Sequence, residues 1–145
     1  MSKEMMGMII GGVVPAILFG VSGVLQKLAV GTQIGTGWYT CFLGLGVVFV
    51  GLMWQLIQPG NLNLNGMGAS ALVGFVWAVG TACIAFALGS FGTPIAKLVP
   101  LYNMNTLFAV ALGLLFFAEA AQLNLFKLFL GATFIAVGGI LVAKS

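Results

Sequence analysis

The stretch GASALVGFVWAVGTACIAFAL, residues 68–88, runs without one charged side chain. About 20 predominantly apolar residues in a helix cross the ~30 Å hydrocarbon core of a bilayer, so this stretch is long enough to span and too apolar to face water. Within it Ala71, Gly74, Ala78, Thr81, Ala85 and Leu88 step by three and four, which lays a mostly small face down one side of a helix. In lipid, packing rather than the hydrophobic effect drives helices together, and small faces let backbones approach. The face is predicted to be a packing seam. The alternative is that small residues simply occur there, since 22 glycines in the chain produce such spacings by chance. The isolated pairs Gly7 and Gly11, Ala109 and Gly113, and Gly139 and Ala143 share the spacing and the same two readings.

Four further apolar runs flank this one. The chain has 145 residues, 61% hydrophobic and 5% charged, against roughly 25% charged in soluble domains. Its mean hydropathy of +1.21 excludes a soluble globular fold. The predicted helices are 5–28, 38–57, 68–88, 95–118 and 125–143, making one all-α integral membrane domain over 1–145. The first run is too long for the 7–15-residue apolar region of a signal peptide. GTQIGTG at 31–37 breaks it, and Trp38-Tyr39 opens the next helix with an aromatic pair suited to headgroup level. NLNLN at 61–65 reads as a surface loop, GSFGTP at 89–94 as a turn, and 119–124 as the cap of the fourth helix.

Absent residue types restrict the chemistry. There is no His, Arg or Asp, and the only acids are Glu4 and Glu119, so metal-ligand clusters and His-based acid/base machinery have no members. An enzyme is disfavoured, and no cofactor is implied. Five isolated lysines, Lys3, Lys27, Lys97, Lys127 and Lys144, give a net charge of +3 with no basic run, which excludes a nucleic-acid surface. Cys41 and Cys83 sit in apolar stretches without CxxC spacing and read as small buried hydrophobes.

Polar groups inside lipid are costly unless they face a cavity or a partner, and two clusters qualify. Ser22 and Gln26 share one face of the first helix with Pro15, which releases a carbonyl four residues earlier from its helical bond. In the fourth helix Pro100 precedes Tyr102, Asn103, Asn105 and Thr106. Trp77 and Thr81, four apart in the third helix, are neighbours on one face. The functional reading makes Ser22, Gln26, Trp77, Thr81, Tyr102, Asn103 and Thr106 line a substrate pathway, with Pro15 and Pro100 supplying helix flexibility. The competing reading is that these side chains knit helices together at ~0.6–2 kcal/mol each. Lys27 and Lys97 lie near helix ends and can snorkel to the interface or meet a substrate. Glu119 reads as an interfacial cap or as a coupling carboxylate. No acid lies at the middle of any helix, which favours facilitated movement, or coupling through another residue, over carboxylate-based proton exchange.

Five helices put the termini on opposite sides. Lys3 and Lys127 then lie with the N-terminus and Lys27, Lys97 and Lys144 on the other side. The one-charge difference is cancelled by the amino terminus, so the positive-inside rule gives no orientation. Dual topology follows, with two opposed copies forming an antiparallel dimer that reproduces an inverted-repeat site by assembly.

PAILFGVSGVLQKLA (15–29), AKLVPLYNMNTLFAVALGLLFFAEA (96–120) and the Gly-rich GATFIAVGGILVA (131–143) resemble one five-helix unit of the drug/metabolite transporter superfamily, EamA type. The resembling features are Pro100, Glu119, Gly131, Gly138 and Gly139. Ten-helix members look like two inverted units, so the resemblance implies half of an inverted-repeat fold and a partner copy. Related small multidrug resistance transporters have four helices and a glutamate in the first, where this chain has Ser22, Gln26 and Lys27, a departure that argues against drug-cation/proton antiport. The resemblance implies a multi-pass protein of a cell inner membrane that moves a small polar or amphipathic metabolite by alternating access. Its partners are a small-molecule substrate, the lipid bilayer, and an antiparallel second copy or a paralogue. A lipid-carrier flippase and a non-transporting assembly subunit are the alternatives.

Overall fold

The computed structural model describes residues 2–116 and 124–145. The described residues are helical with no strand, and five helices are long and apolar enough to cross a membrane. At 1.5 Å rise per residue the 22 residues of Thr36–Ile57 measure ~33 Å, the thickness of the hydrocarbon core plus its margins. Buried apolar side chains are few: Tyr39, Ala85 and Leu88. The large apolar residues point outward instead, as the lipid-facing side chains of a multi-pass membrane protein do. The chain divides into two compact units, Met1–Gly92 and Thr93–Ser145.

In the first unit, α1 spans Lys3–Gly31. Ser2 caps it, its Oγ accepting the Met5 N–H at 3.1 Å, and Glu4 lies in the first turn, where the helix dipole favours an acid. Ile9–Val13 is a π-helical segment in which the Val14 N–H donates to the Ile9 carbonyl, five residues back. Pro15 accounts for it: the ring has no N–H to give and crowds the preceding turn, which widens around it. The helix ends where the Thr32 hydroxyl donates to the Ala29 carbonyl at 2.7 Å. Gln33, at φ 63°, then takes the left-handed position usually held by glycine.

Helix α2 spans Thr36–Ile57. Gln55 clasps the turn that follows, its Nε2 donating to the Gly60 carbonyl at 3.0 Å and its Oε1 accepting the Gly60 N–H at 3.3 Å. Helix α3 runs Leu64–Ser90, beginning four residues before the sequence-based start at 68. The cause is Asn63, whose Oδ1 accepts the N–H groups of Asn65 and Gly66. NLNLN is therefore part loop, part cap and part first turn. At the other end Phe86 meets Phe91 edge-on at 5.5 Å, and Gly92 reverses the chain at φ 60°, a conformation that costs glycine nothing.

The small face of α3 is used over part of its length. Ala85 and Leu88 are buried, Ala78 and Thr81 half-buried, and Ala71 and Gly74 exposed, while α1 packs against α3. At the close-packed end a Cβ on Gly89 would stand 3.1 Å from Val30 Cγ1. Gly7 and Gly11 have open space around them. Cys41 and Cys83, expected inside, both lie on the surface of the chain as free thiols. With helices apolar on every side, an apolar context does not say which residues face a neighbour.

In the second unit, Pro94 precedes α4, Ile95–Tyr102. A break at Asn103–Met104 leads into α5, Asn105–Phe116. Helix α6, Leu125–Lys144, starts at Asn124, whose Oδ1 accepts the Lys127 N–H at 3.1 Å. The sequence-based helix 95–118 is thus two helices over its described part. Residues 117–118, Glu119 and the cap assigned to 119–124 lie outside the described residues, Asn124 excepted. Helix α6 packs on α4, with the buried Gly139 so close to Pro100 that a Cβ there would be 3.2 Å from its carbonyl oxygen. Between α5 and α6 an open apolar groove of about 310 Å³ is lined by residues including Leu107, Leu114, Phe129 and Ala136.

Candidate functional site

The first-unit candidates meet between α1 and α3. Gln26 is the buried polar residue of the described chain, 7% exposed, and its Nε2 donates to the Thr81 carbonyl at 3.3 Å. This is an interhelical bond of the kind that holds spans together, and it places Gln26 and Thr81 side by side across the small face of α3. The Thr81 hydroxyl donates to the Trp77 carbonyl at 2.9 Å. The Ser22 hydroxyl donates to the Phe19 carbonyl at 2.9 Å. Both hydroxyl protons are therefore bonded within their own helices, and each oxygen keeps lone pairs to offer as an acceptor. Ser22 and Trp77 are exposed on the chain surface, and Pro15 is half-buried beside the π segment.

The second-unit candidates gather at the helix break. Asn103 lies eight residues beyond Ile95, ~12 Å along the axis, close to the middle of a ~30 Å core when α4 starts at its edge. Pro100 cannot donate to the Ala96 carbonyl. Past it, the Met104 N–H bonds to Leu101, the Thr106 N–H to Asn103, and the Leu107 N–H to Met104. Each spans three residues rather than four, which tightens the chain into 3₁₀-like turns. The Thr106 hydroxyl also donates to the Asn103 carbonyl at 2.9 Å. Asn103, Asn105 and Thr106 are exposed and Tyr102 is half-buried. Among the described residues the side chains of Tyr102, Asn103 and Asn105 make no hydrogen bond.

Irregular backbone at membrane depth is tolerated where protein buries it or where it lines a water-filled cavity. An exposed break carrying two asparagines therefore has to face one or the other. Chemically it offers neutral amide, hydroxyl and peptide groups suited to hydrogen bonding. No group of three or more His, Cys, Asp or Glu side chains gathers among the described residues.

Sequence reasoning placed Trp38 and Tyr39 together at headgroup level, but Trp38 is 69% exposed and Tyr39 is buried at 9%. Adjacent residues on a helix point ~100° apart, which is the signal that separates such a pair. No family model, curated protein or solved structure matches the chain.

Proposed function

We propose that this chain is a membrane transporter of a small polar or amphipathic metabolite, working by alternating access as an antiparallel dimer. In this reading it is similar to one five-helix unit of the drug/metabolite transporter superfamily and resides in a cell inner membrane. The observation that carries it is the break at Asn103–Met104, which places amides with no hydrogen-bond partner among the described residues about halfway across the fourth span. Discontinuous spans of this kind build mid-membrane substrate sites in transporters, at the interface of inverted repeats. The near-even lysine count on the two sides supports insertion in both orientations, and a second, inverted copy then supplies the other repeat. In this reading Tyr102, Asn103 and Thr106 are the substrate-pathway residues of the second unit, Ser22, Gln26, Trp77 and Thr81 those of the first, and Pro15 and Pro100 set the points of bending.

Uptake is tested with proteoliposomes given a whole-cell metabolite extract, the lumenal contents being read by mass spectrometry. One or more small polar solutes are expected to accumulate over protein-free vesicles. Asn103→Leu is expected to cut that accumulation at least ~10-fold, the discrimination a lost polar contact carries at a site built for hydrogen bonding, while inserting normally. Accumulation equal in both proteins removes Asn103 from the site.

Orientation is tested with single cysteines in the 61–65 loop and at the C-terminus of a Cys41- and Cys83-free variant, labelled in intact cells by an impermeant thiol reagent. Half-labelling at both positions is expected. Labelling at one position alone rules out the antiparallel homodimer and points to an oppositely oriented paralogue.

A lipid-carrier flippase is the second reading, favoured by the open apolar groove between α5 and α6. It predicts translocation of a lipid-linked probe in the same vesicles, with no soluble solute accumulating.

A further inference from the structure

We infer that the apolar groove between α5 and α6 seats one acyl chain of an anionic phospholipid, with the lipid phosphate held at Lys127. The inference stands without the transport reading, since this lipid stays in place and is not carried.

The groove has the length of one leaflet. Its volume of about 310 Å³ lies between Leu107, Val110 and Leu114 of α5 and Leu128, Ala132 and Ala136 of α6. A second hollow of about 210 Å³ adjoins it and reaches Thr106, Lys127 and Gly131. From Lys127 to Ala136 the helix rises ~13 Å, against ~15 Å for half of a ~30 Å hydrocarbon core. Lys127, in the first turn of α6, marks one end, and Thr106, beside the mid-membrane break, marks the other. Spread along this length, the larger hollow is a strip ~5 Å across, the width of a single hydrocarbon chain, whereas a helix with its side chains measures ~10–12 Å. The six residues that wall it are all half-buried, so the strip is a recess and not a flat face. Apolar recesses do not hold water, and left empty the lining would forfeit its dispersion contacts on one side. A lipid tail supplies them.

The mouth of the groove is cationic. Lys127 stands where the dipole of α6 already places positive charge, and no acid lies in that first turn. The described residues of Thr93–Ser145 contain no acidic side chain to offset it. Asn124 takes the Lys127 N–H, while the N–H groups of Leu125 and Phe126 meet no acceptor among the described residues. Such N–H groups at a helix start accept a phosphate oxygen as partner. A cation and free donors at the surface end, with an apolar recess one leaflet deep below them, match the two parts of an anionic phospholipid.

The test is native mass spectrometry of the purified full-length chain, released from detergent micelles after titration with dioleoyl phosphatidylglycerol or dioleoyl phosphatidylcholine. The chain is expected to retain one phosphatidylglycerol at least ~5-fold more tightly than phosphatidylcholine, the effect of one lysine near a membrane surface. Lys127 is exposed, so Lys127→Gln leaves packing alone and is expected to bring phosphatidylglycerol down to the phosphatidylcholine level. Lys144→Gln, at the far end of α6, is expected to keep the preference. Gly131→Leu puts its side chain into open space in the groove and is expected to remove the one-to-one adduct with both lipids. Gly46→Leu, at an open position of α2, is expected to keep it. Equal retention of the two lipids overturns the inference, as does a preference lost alike in both lysine variants or an adduct that Gly131→Leu leaves intact. Lipid retained on monomers and absent from dimers gives the groove to a second copy and overturns it too. So does a phosphatidylglycerol analogue that crosses the proteoliposome bilayer and is blocked by Gly131→Leu, which would make the groove a route.

Discussion

Gly139→Leu is expected to unfold the second unit, with a loss of at least ~3 kcal/mol, the upper range for forcing volume into a packed contact. The obstacle is backbone: a Cβ at this position meets the Pro100 carbonyl oxygen at 3.2 Å and the Met104 side chain at 3.4 Å. A backbone carbonyl held within helix α4 cannot rotate away as a flexible side chain can. Gly139→Ala is expected to cost ~1–2 kcal/mol, since separating α4 and α6 by a few tenths of an ångström relieves it. Gly138 is the control. A Cβ there has nothing within 4 Å, so Gly138→Leu adds an outward side chain and is expected to be near neutral. The measurement is reversible unfolding in mixed detergent micelles, with the sequential pair compared at matched detergent composition. Equal costs at 138 and 139 would mean that the α4–α6 contact does not hold the unit together.

Gln26→Glu carries the second large effect. Its Nε2 donates to the Thr81 carbonyl at 3.3 Å in a setting only 7% exposed. Replacing that donor with an ionised oxygen sets two acceptors against each other and places a charge among apolar helices, where an acid costs ~2.5–3.5 kcal/mol. Gln26→Leu removes both the bond and the need for it. Interhelical bonds in bilayers average ~0.6 kcal/mol with a maximum near 2, so leucine is expected to cost under ~1 kcal/mol. The diagnostic result is the order: glutamate far worse than leucine, although glutamate is the closer relative in shape. Leucine as damaging as glutamate would show that the site depends on the glutamine bond itself.

The spans were legible because composition leaves no other option at 61% hydrophobic and 5% charged. Spacing by three and four also identified Ala78, Thr81, Ala85 and Leu88 as one face, but not that Ala71 and Gly74 on the same face stay exposed. Where a seam stops is set by where the partner helix departs, and one helix's sequence does not carry that. Pro100 was readable as a weak point, yet the chain breaks three residues later, at Asn103. The ring disturbs the turn behind it, whereas the break falls where asparagine side chains and 3₁₀ bonds offer the backbone an alternative to the α-helix. The hidden part of the candidate site is rotational phase. Gln26 and Ser22 lie four apart on α1, yet one is buried against α3 and the other exposed, a distinction that needs the neighbour's position.

The second unit also has the parts of a lever. Gly139 pins α4 to α6, while α5 leaves from Asn103–Met104 and stands off across the groove lined by Leu107, Leu114 and Phe129. The 12 residues of α5 make an arm ~18 Å long. A tilt of ~10° at its root sweeps the far tip through ~3 Å, about the size of a water molecule, with no change in the α4–α6 contact. The fulcrum and the polar side chains of Tyr102, Asn103 and Thr106 fall within the same few residues, so whatever occupies the break also stiffens the joint on which the arm swings.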